Sequence, residues 1–140
     1  MPTILVVDDQ QCIRELVAEE LADEGYRIDT VGDALGAKRY LRSFQPDLVL
    51  LDLFLGEPDG WEVLRDIKKH VPSLPVIVFT AYDSFKDDLR LSKADGYVIK
   101  STDFRELKKN ITNTLTAKKG RQGDVEARAY VPQISVAPPC

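Results

Sequence analysis

Asp8-Asp9 in "ILVVDDQ" (4–10), Asp52 in "PDLVLLDLFLGEPDG" (46–60), Thr80 in "VIVFTA" (76–81) and Lys100 in "GYVIK" (96–100) share one setting: each closes an apolar run. If those runs are neighbouring strands, three carboxylates, a hydroxyl and an ammonium meet at one edge. Two carboxylates about 4 Å apart repel by about 4 kcal/mol at an effective dielectric near 20. Three such pairs approach ~10 kcal/mol, comparable to a domain's whole stability of roughly 5–15 kcal/mol. Such a group needs cations. Lys100 supplies one charge, and Mg²⁺, which favours hard oxygen ligands, would supply two more. A carboxylate beside a divalent ion, a hydroxyl and a lysine can attack a phosphoryl group and become an acyl phosphate. The cations and the hydroxyl then neutralise the equatorial oxygens.

The elements that must position these groups alternate strand and helix. "TILVV" (3–7), "YRIDTV" (26–31), "DLVLL" (47–51), "PVIVFT" (75–80) and "GYVIK" (96–100) read as strands. Ile13, Leu16, Val17 and Leu21 recur at helical spacing between Gln10 and Glu24, with Gly25 as a stop. Asp33 caps a second helix with Leu35, Tyr40 and Leu41 inward, ended by Pro46. A third runs from Trp61 to His70 with Val63, Leu64 and Ile67 inward, and a short polar fourth is expected over 83–92. Asp103 caps the last, whose stripe is Phe104, Leu107, Ile111 and Leu115. Strands apolar on both faces imply a parallel sheet covered by helices on both sides, an α/β domain over residues 1–117. Residues 118–140, rich in Gly, Pro and charge without a sustained period, read as a flexible C-terminal tail.

Composition narrows the function classes. A net charge of −4 with no basic stripe argues against direct nucleic-acid binding. Cys12 and Cys140 form neither a disulfide framework nor a zinc spacing, so a reduced, cytoplasmic setting is expected. No stretch approaches the roughly 20 apolar residues that span a bilayer, so no membrane insertion is expected, and the chain opens on a strand rather than a leader.

The four motifs, in this order and each after its own strand, resemble the receiver domain of two-component response regulators over residues 3–117. The resemblance implies a flavodoxin-like five-stranded parallel sheet of order 2-1-3-4-5 with five helices. It implies that Asp52 accepts a phosphoryl group from the phosphohistidine of a sensor histidine kinase or phosphotransfer protein. Asp9, Asp52 and the main-chain carbonyl of Phe54 would ligate Mg²⁺, with Asp8 acting through water. Thr80 would bind the phosphoryl group and Lys100 would pair with it. Thr80 and Tyr97 match the family's switch pair: the hydroxyl moves to the phosphate, the ring turns inward, and the surface of the fourth helix, fifth strand and fifth helix is remodelled. Such a domain is a signalling module that gains and loses its own phosphoryl group rather than an enzyme. It acts on a downstream protein target or on an output domain missing from this chain. Three departures from the family pattern stand out: Ser101 follows the lysine where proline is usual, Gly56 stands where proline is common, and 19 residues separate Thr80 from Lys100, slightly fewer than usual. The last predicts a short or irregular fourth helix.

Other readings of the same residues remain. A degenerate receiver would dock partners without phosphorylation. A haloacid-dehalogenase-type phosphatase needs a second carboxylate two residues after its nucleophile, where Phe54 stands. A flavin binder needs a Ser/Thr/Gly-rich phosphate loop, where "VVDDQQ" offers two negative charges. Asp9 could cap the first helix, and Tyr97 could be plain packing. Cys12 reads as a small filler or surface thiol, His70 as a helix-end decoration, and the lysine pairs 68–69, 108–109 and 118–119 as solvated helix faces.

Overall fold

Strands apolar at every position must bury both faces. The computed structural model of the chain, which describes residues 1–56, 59–82, 85–101 and 103–121, does this with one parallel sheet. Its strands are β1 (Thr3–Val7), β2 (Arg27–Val31), β3 (Leu48–Leu51), β4 (Val76–Thr80) and β5 (Gly96–Ile99), in the order β2-β1-β3-β4-β5. The helices are α1 (Gln11–Ala22), α2 (Ala34–Ser43), α3 (Gly60–His70) and α4 (Arg105–Arg121). Ile4, Val6, Leu48, Leu50, Ile77, Phe79 and Val98 pack with Val17 and Leu21 of α1 and Leu107, Ile111 and Leu115 of α4. Leu5, Val7, Val49, Leu51 and Val76 pack with Ala34 and Ala37 of α2 and Val63, Leu64 and Ile67 of α3. The period-2 alternation of the strands thus feeds two cores. Among the described residues no helix is long and apolar enough to cross a membrane.

The structure departs from expectation at three places, and the fourth helix is short and irregular as its spacing predicts. Among the described residues there are four α-helices and one 3₁₀ helix. Where a fourth was expected over 83–92, residues 85–87 form a turn and Leu89–Lys93 a 3₁₀ helix, while 83–84 lie outside the described residues. No residue of that segment is buried and Leu89 is 89% exposed, so no apolar face offsets the cost of nucleating a full helix. In α2, Asp33 caps as expected, accepting from the Gly36 amide at 2.6 Å, but the resulting frame turns Ala34 and Ala37 to the sheet and Leu35 outward. α4 continues to Arg121, past the boundary expected at 117; residues 122–140 of the expected tail, with Cys140, lie outside the described residues.

The third correction concerns the lysines. Lys108 is 1% exposed, with Nζ 3.1 Å from Glu20 and 3.0 Å from Glu24, so it joins α4 to the C-terminal half of α1 and its neighbouring turn. The Lys68 ammonium donates to the Leu74 carbonyl at 2.8 Å and to Asp95 at 2.7 Å, and Lys118 reaches the Asp47 carbonyl at 3.4 Å. Helical spacing alone could not reveal that two carboxylates on α1 and its C-terminal turn wait opposite Lys108. Removing one partner of a buried ion pair typically costs roughly 3–5 kcal/mol. Lys108→Ala is therefore expected to lower the unfolding free energy by about that much, read as an earlier midpoint in urea denaturation at neutral pH.

Candidate functional site

The parallel register places the site. Val7 pairs with Leu51, Leu51 with Val78, and Thr80 with Ile99, so the residues that follow emerge side by side. The ladder also runs one residue past the strand ends. The Asp8 amide donates to the Val31 carbonyl (3.2 Å), Asp52 to Val7 (2.9 Å) and Lys100 to Thr80 (2.7 Å). Three charged residues are thus held by sheet hydrogen bonds rather than by loops.

Carboxylate oxygens of Asp8, Asp9 and Asp52 lie within 4.8 Å of one another. Asp8 and Asp52 are 2% and 5% exposed, while Asp9 faces solvent. Lys100 Nζ bridges the buried pair, 2.7 Å from Asp8 Oδ2 and 3.0 Å from Asp52 Oδ2, even though Ser101 rather than proline follows it. The other oxygens accept backbone amides: Asp8 Oδ1 from Gln10 (2.9 Å) and Asp52 Oδ1 from Phe54 (3.1 Å). Asp9 is not the cap of α1; Gln10 occupies that position without a side-chain capping bond, and Asp8 satisfies the Gln10 amide instead.

Burial pushes the Asp52 carboxyl above its usual 3.8, and nearby Asp8 adds to this, against the opposing pull of Lys100 and the Phe54 amide. Burial pulls the Lys100 ammonium down, yet its bonds and charge contacts with Asp8 and Asp52 outweigh that and raise it above 10.5. The lysine is therefore a fixed cation, and the three carboxylates exceed it by two charges. Hard oxygen donors this close, carrying that surplus, fit Mg²⁺.

Thr80 is fully buried, and its Oγ1 accepts from the Tyr82 amide at 3.4 Å. The half-buried Tyr97 donates its hydroxyl to the carbonyl of Tyr82. The two expected switch residues thus meet at opposite ends of one residue. His70 lies at the far end of α3, its ring on the Asp66 carbonyl, and Cys12 is a surface thiol.

Three features escaped the sequence reading. A Cβ on Gly60 would lie 2.4 Å from the Asp52 carbonyl oxygen and 2.5 Å from Leu53 Cα, so only glycine lets α3 begin against the Asp52 loop. The "DG" pair after that loop was the available signal. Phe54, Tyr82, Phe85 and Trp61 form a chain of rings along the rim, with centroids 4.6–5.6 Å apart and Arg90 3.9 Å above Trp61. Arg14 of α1 donates to the Asp8 carbonyl at 2.7 Å.

A model of the response regulator receiver domain matches residues 4–112. The chain belongs to this family. As a receiver domain it is a signalling module of two-component systems. It is 36% identical over 107 residues to the probable transcriptional regulatory protein TcrX of Mycobacterium tuberculosis, covering 75% of this chain and 46% of TcrX. It is 35% identical over 109 residues to the virulence transcriptional regulatory protein PhoP of Salmonella typhimurium, covering 76% of this chain and 49% of PhoP. The chain thus spans about half the length of these relatives. The response regulator TrrA of Thermotoga maritima, solved in complex with Mg²⁺-BeF, superposes with a TM-score of 0.79 at 42% identity, over 81% of this chain and 99% of TrrA. TrrA has also been solved with the histidine kinase ThkA, where it superposes with a TM-score of 0.78 at 42% identity, over 82% of this chain and 99% of TrrA.

The raised carboxyl at Asp52 has a measurable consequence for this receiver domain. A pKa higher in the folded state means that protonation favours folding. That contribution is present below pH 3.8 and is lost as pH rises through the folded-state value. Asp52→Asn, which removes the charge but not the shape, is expected to melt above wild type at neutral pH in chelator, with the gap closing in acid. Mg²⁺ should raise the melting temperature of wild type more than that of the variant; calorimetric scans at several pH values check both.

Proposed function

We propose that this receiver accepts a phosphoryl group on Asp52 from the phosphohistidine of a sensor histidine kinase or phosphotransfer protein, and signals through Thr80 and Tyr97. The observation that carries the reading is the buried Asp52 carboxylate held 3.0 Å from Lys100, with Asp8, Asp9 and Thr80 on the same sheet edge. TrrA, with its Mg²⁺-BeF and ThkA complexes, supports it by likeness.

An Asp52 carboxylate oxygen attacks phosphorus in line. The bond from phosphorus to the donor imidazole nitrogen breaks, and that nitrogen keeps the electron pair. Asp9, Asp52 and the Phe54 carbonyl would hold Mg²⁺, with Asp8 acting through water. Bound there, the ion neutralises charge on the equatorial phosphoryl oxygens. Lys100 turns part of its charge from Asp8 and Asp52 to the phosphoryl group. The Thr80 hydroxyl, which now accepts from the Tyr82 amide, donates to a phosphoryl oxygen instead. That loosens the residue whose carbonyl Tyr97 holds and lets the ring turn inward. The surface remodelled is that of the 3₁₀ segment, β5 and α4, read by a downstream protein or by an output domain beyond this chain. A cytoplasmic place of action belongs to the same reading, as does slow hydrolytic loss of the phosphoryl group by the domain itself.

The test is intact-mass spectrometry after incubation with acetyl phosphate. A gain of one phosphoryl group with Mg²⁺, absent with chelator and in Asp52→Ala, is the expected result. A folded protein that binds Mg²⁺ but gains no mass would overturn the phosphoacceptor reading in favour of an unphosphorylated docking module. The rings of Phe54 and Tyr82, 4.6 Å apart, belong to the two loops that follow Asp52 and Thr80. Placed there, they hinder attack of water on the acyl phosphate. Phe54→Asn and Tyr82→Glu are therefore expected to lose radiolabelled phosphate faster than wild type; identical decay in all three would remove that role.

A further inference from the structure

We infer that Arg14, seated by Gly32, is a positioning residue that sets Asp9 for cation binding; the inference rests on the Mg²⁺ site of the proposed function. Asp9 is the exposed member of the carboxylate group, and among the described residues no hydrogen bond to its side chain is found. Its placement must then come from its backbone. A peptide unit is planar, so fixing the carbonyl oxygen of Asp8 fixes the nitrogen of Asp9 and the direction in which its Cα leaves. That oxygen accepts from Arg14 Nη1 at 2.7 Å, a charge-assisted bond of the stronger kind. The other end of Asp8 is already secured, with its amide on Val31 and its carboxylate on Gln10 and Lys100. Arg14 thus restrains the peptide plane that enters Asp9, while the Gln10 amide on Asp8 Oδ1 restrains the one that leaves it.

The guanidinium has a prepared seat. A Cβ on Gly32 would lie 3.1 Å from Arg14 Nη1, 3.5 Å from Cζ and 3.8 Å from Nη2, and those are its three nearest neighbours. The backbone of Gly32 is not in the left-handed region, so conformation does not demand glycine there. Space for the arginine does. An alanine at 32 would push the guanidinium by a few tenths of an ångström and touch little else.

That gives a closed test. Mg²⁺ is titrated into ¹⁵N-labelled wild type, Arg14→Ala, Gly32→Ala and the double variant, reading affinity from amide shifts and folding from urea midpoints. Residues that orient metal ligands typically contribute about 10–100-fold in affinity. Arg14→Ala is expected to bind Mg²⁺ about 10-fold more weakly, with the Asp8 and Asp9 amides displaced in the free protein. Gly32→Ala should weaken binding less and change nothing further once Arg14 is alanine. Arg14→Lys, which keeps a donor of similar reach, should recover part of the affinity. Wild-type affinity in Arg14→Ala, or a Gly32→Ala effect that persists without Arg14, would overturn the inference alone. Failure of wild type itself to bind Mg²⁺ would overturn the cation site and the inference with it. Should Arg14→Ala lose its fold, Gly32→Ala and Arg14→Lys still decide: unchanged affinity in both overturns the role.

Discussion

Three carboxylates within 4.8 Å of one another, two of them buried, form the constraint to which the rest of the sheet edge answers. Their repulsion would open a loop-built site. Here each charge leaves a parallel strand, and only parallel strands deliver their carboxyl ends to the same side. The amides of Asp8, Asp52 and Lys100 extend the ladder beyond the strands, so the charges are held by backbone bonds that would have to break before the group could relax. The apolar runs preceding them have a second purpose in this light. By filling two cores they make the strands too costly to shift.

The molecule contains a second buried ammonium between carboxylates, and the contrast is instructive. Lys108 sits between Glu20 and Glu24, where α4 covers α1, with Glu20 8% exposed. That cluster is buried where α4 meets α1 and its C-terminal turn, so it acts as an interhelical lock. At Lys100 the deficit is two charges, and the third carboxylate, Asp9, is open to solvent. A divalent cation matches that deficit and has a way in. Similar ingredients thus make a lock in one place and a receptive pocket in the other, and exposure decides which.

Legibility in the sequence followed the range of the forces involved. The two-sided strands and the convergence of Asp8, Asp9, Asp52, Thr80 and Lys100 could be read because strand-end position and apolar runs are local signals, whereas the sheet order came only from the family resemblance. The shortfall of the fourth helix was visible in the Thr80-to-Lys100 spacing, and the structure resolves it as a 3₁₀ segment without buried residues. What escaped depends on contacts between distant segments. Nothing near Lys108 announces Glu20 and Glu24, nothing near Leu35 says that the frame set by Asp33 will favour Ala34 and Ala37, and nothing near Arg14 points to Gly32. Asp9 as a helix cap failed for a similar reason: the turn after β1 puts Gln10 at the cap and gives its amide to Asp8.

The absence of buried residues in the 3₁₀ segment changes how the β4–β5 connection can be held. A regular amphipathic helix there would be fixed by its apolar face in the core. Leu89–Lys93 has no such face, and its anchorage falls to surface contacts: Arg90 over Trp61, Trp61 edge-on to Phe85, Phe85 to Phe54, and Phe54 to Tyr82. Ring pairs of this kind contribute about 0.5–1.5 kcal/mol beyond their buried area, and an exposed cation–π contact about 0.5–1 kcal/mol. Each is weak enough to exchange at little cost, unlike a core contact. Tyr82 is also the residue whose amide and carbonyl are bound by Thr80 and Tyr97. A rearrangement of the Thr80 hydroxyl under the proposed function would therefore act directly on the first ring of the chain that restrains the connection. With no residue of Leu89–Lys93 buried, the aromatic rim takes the place of a packed helix and, under the proposed function, is the element that a change at Asp52 would move.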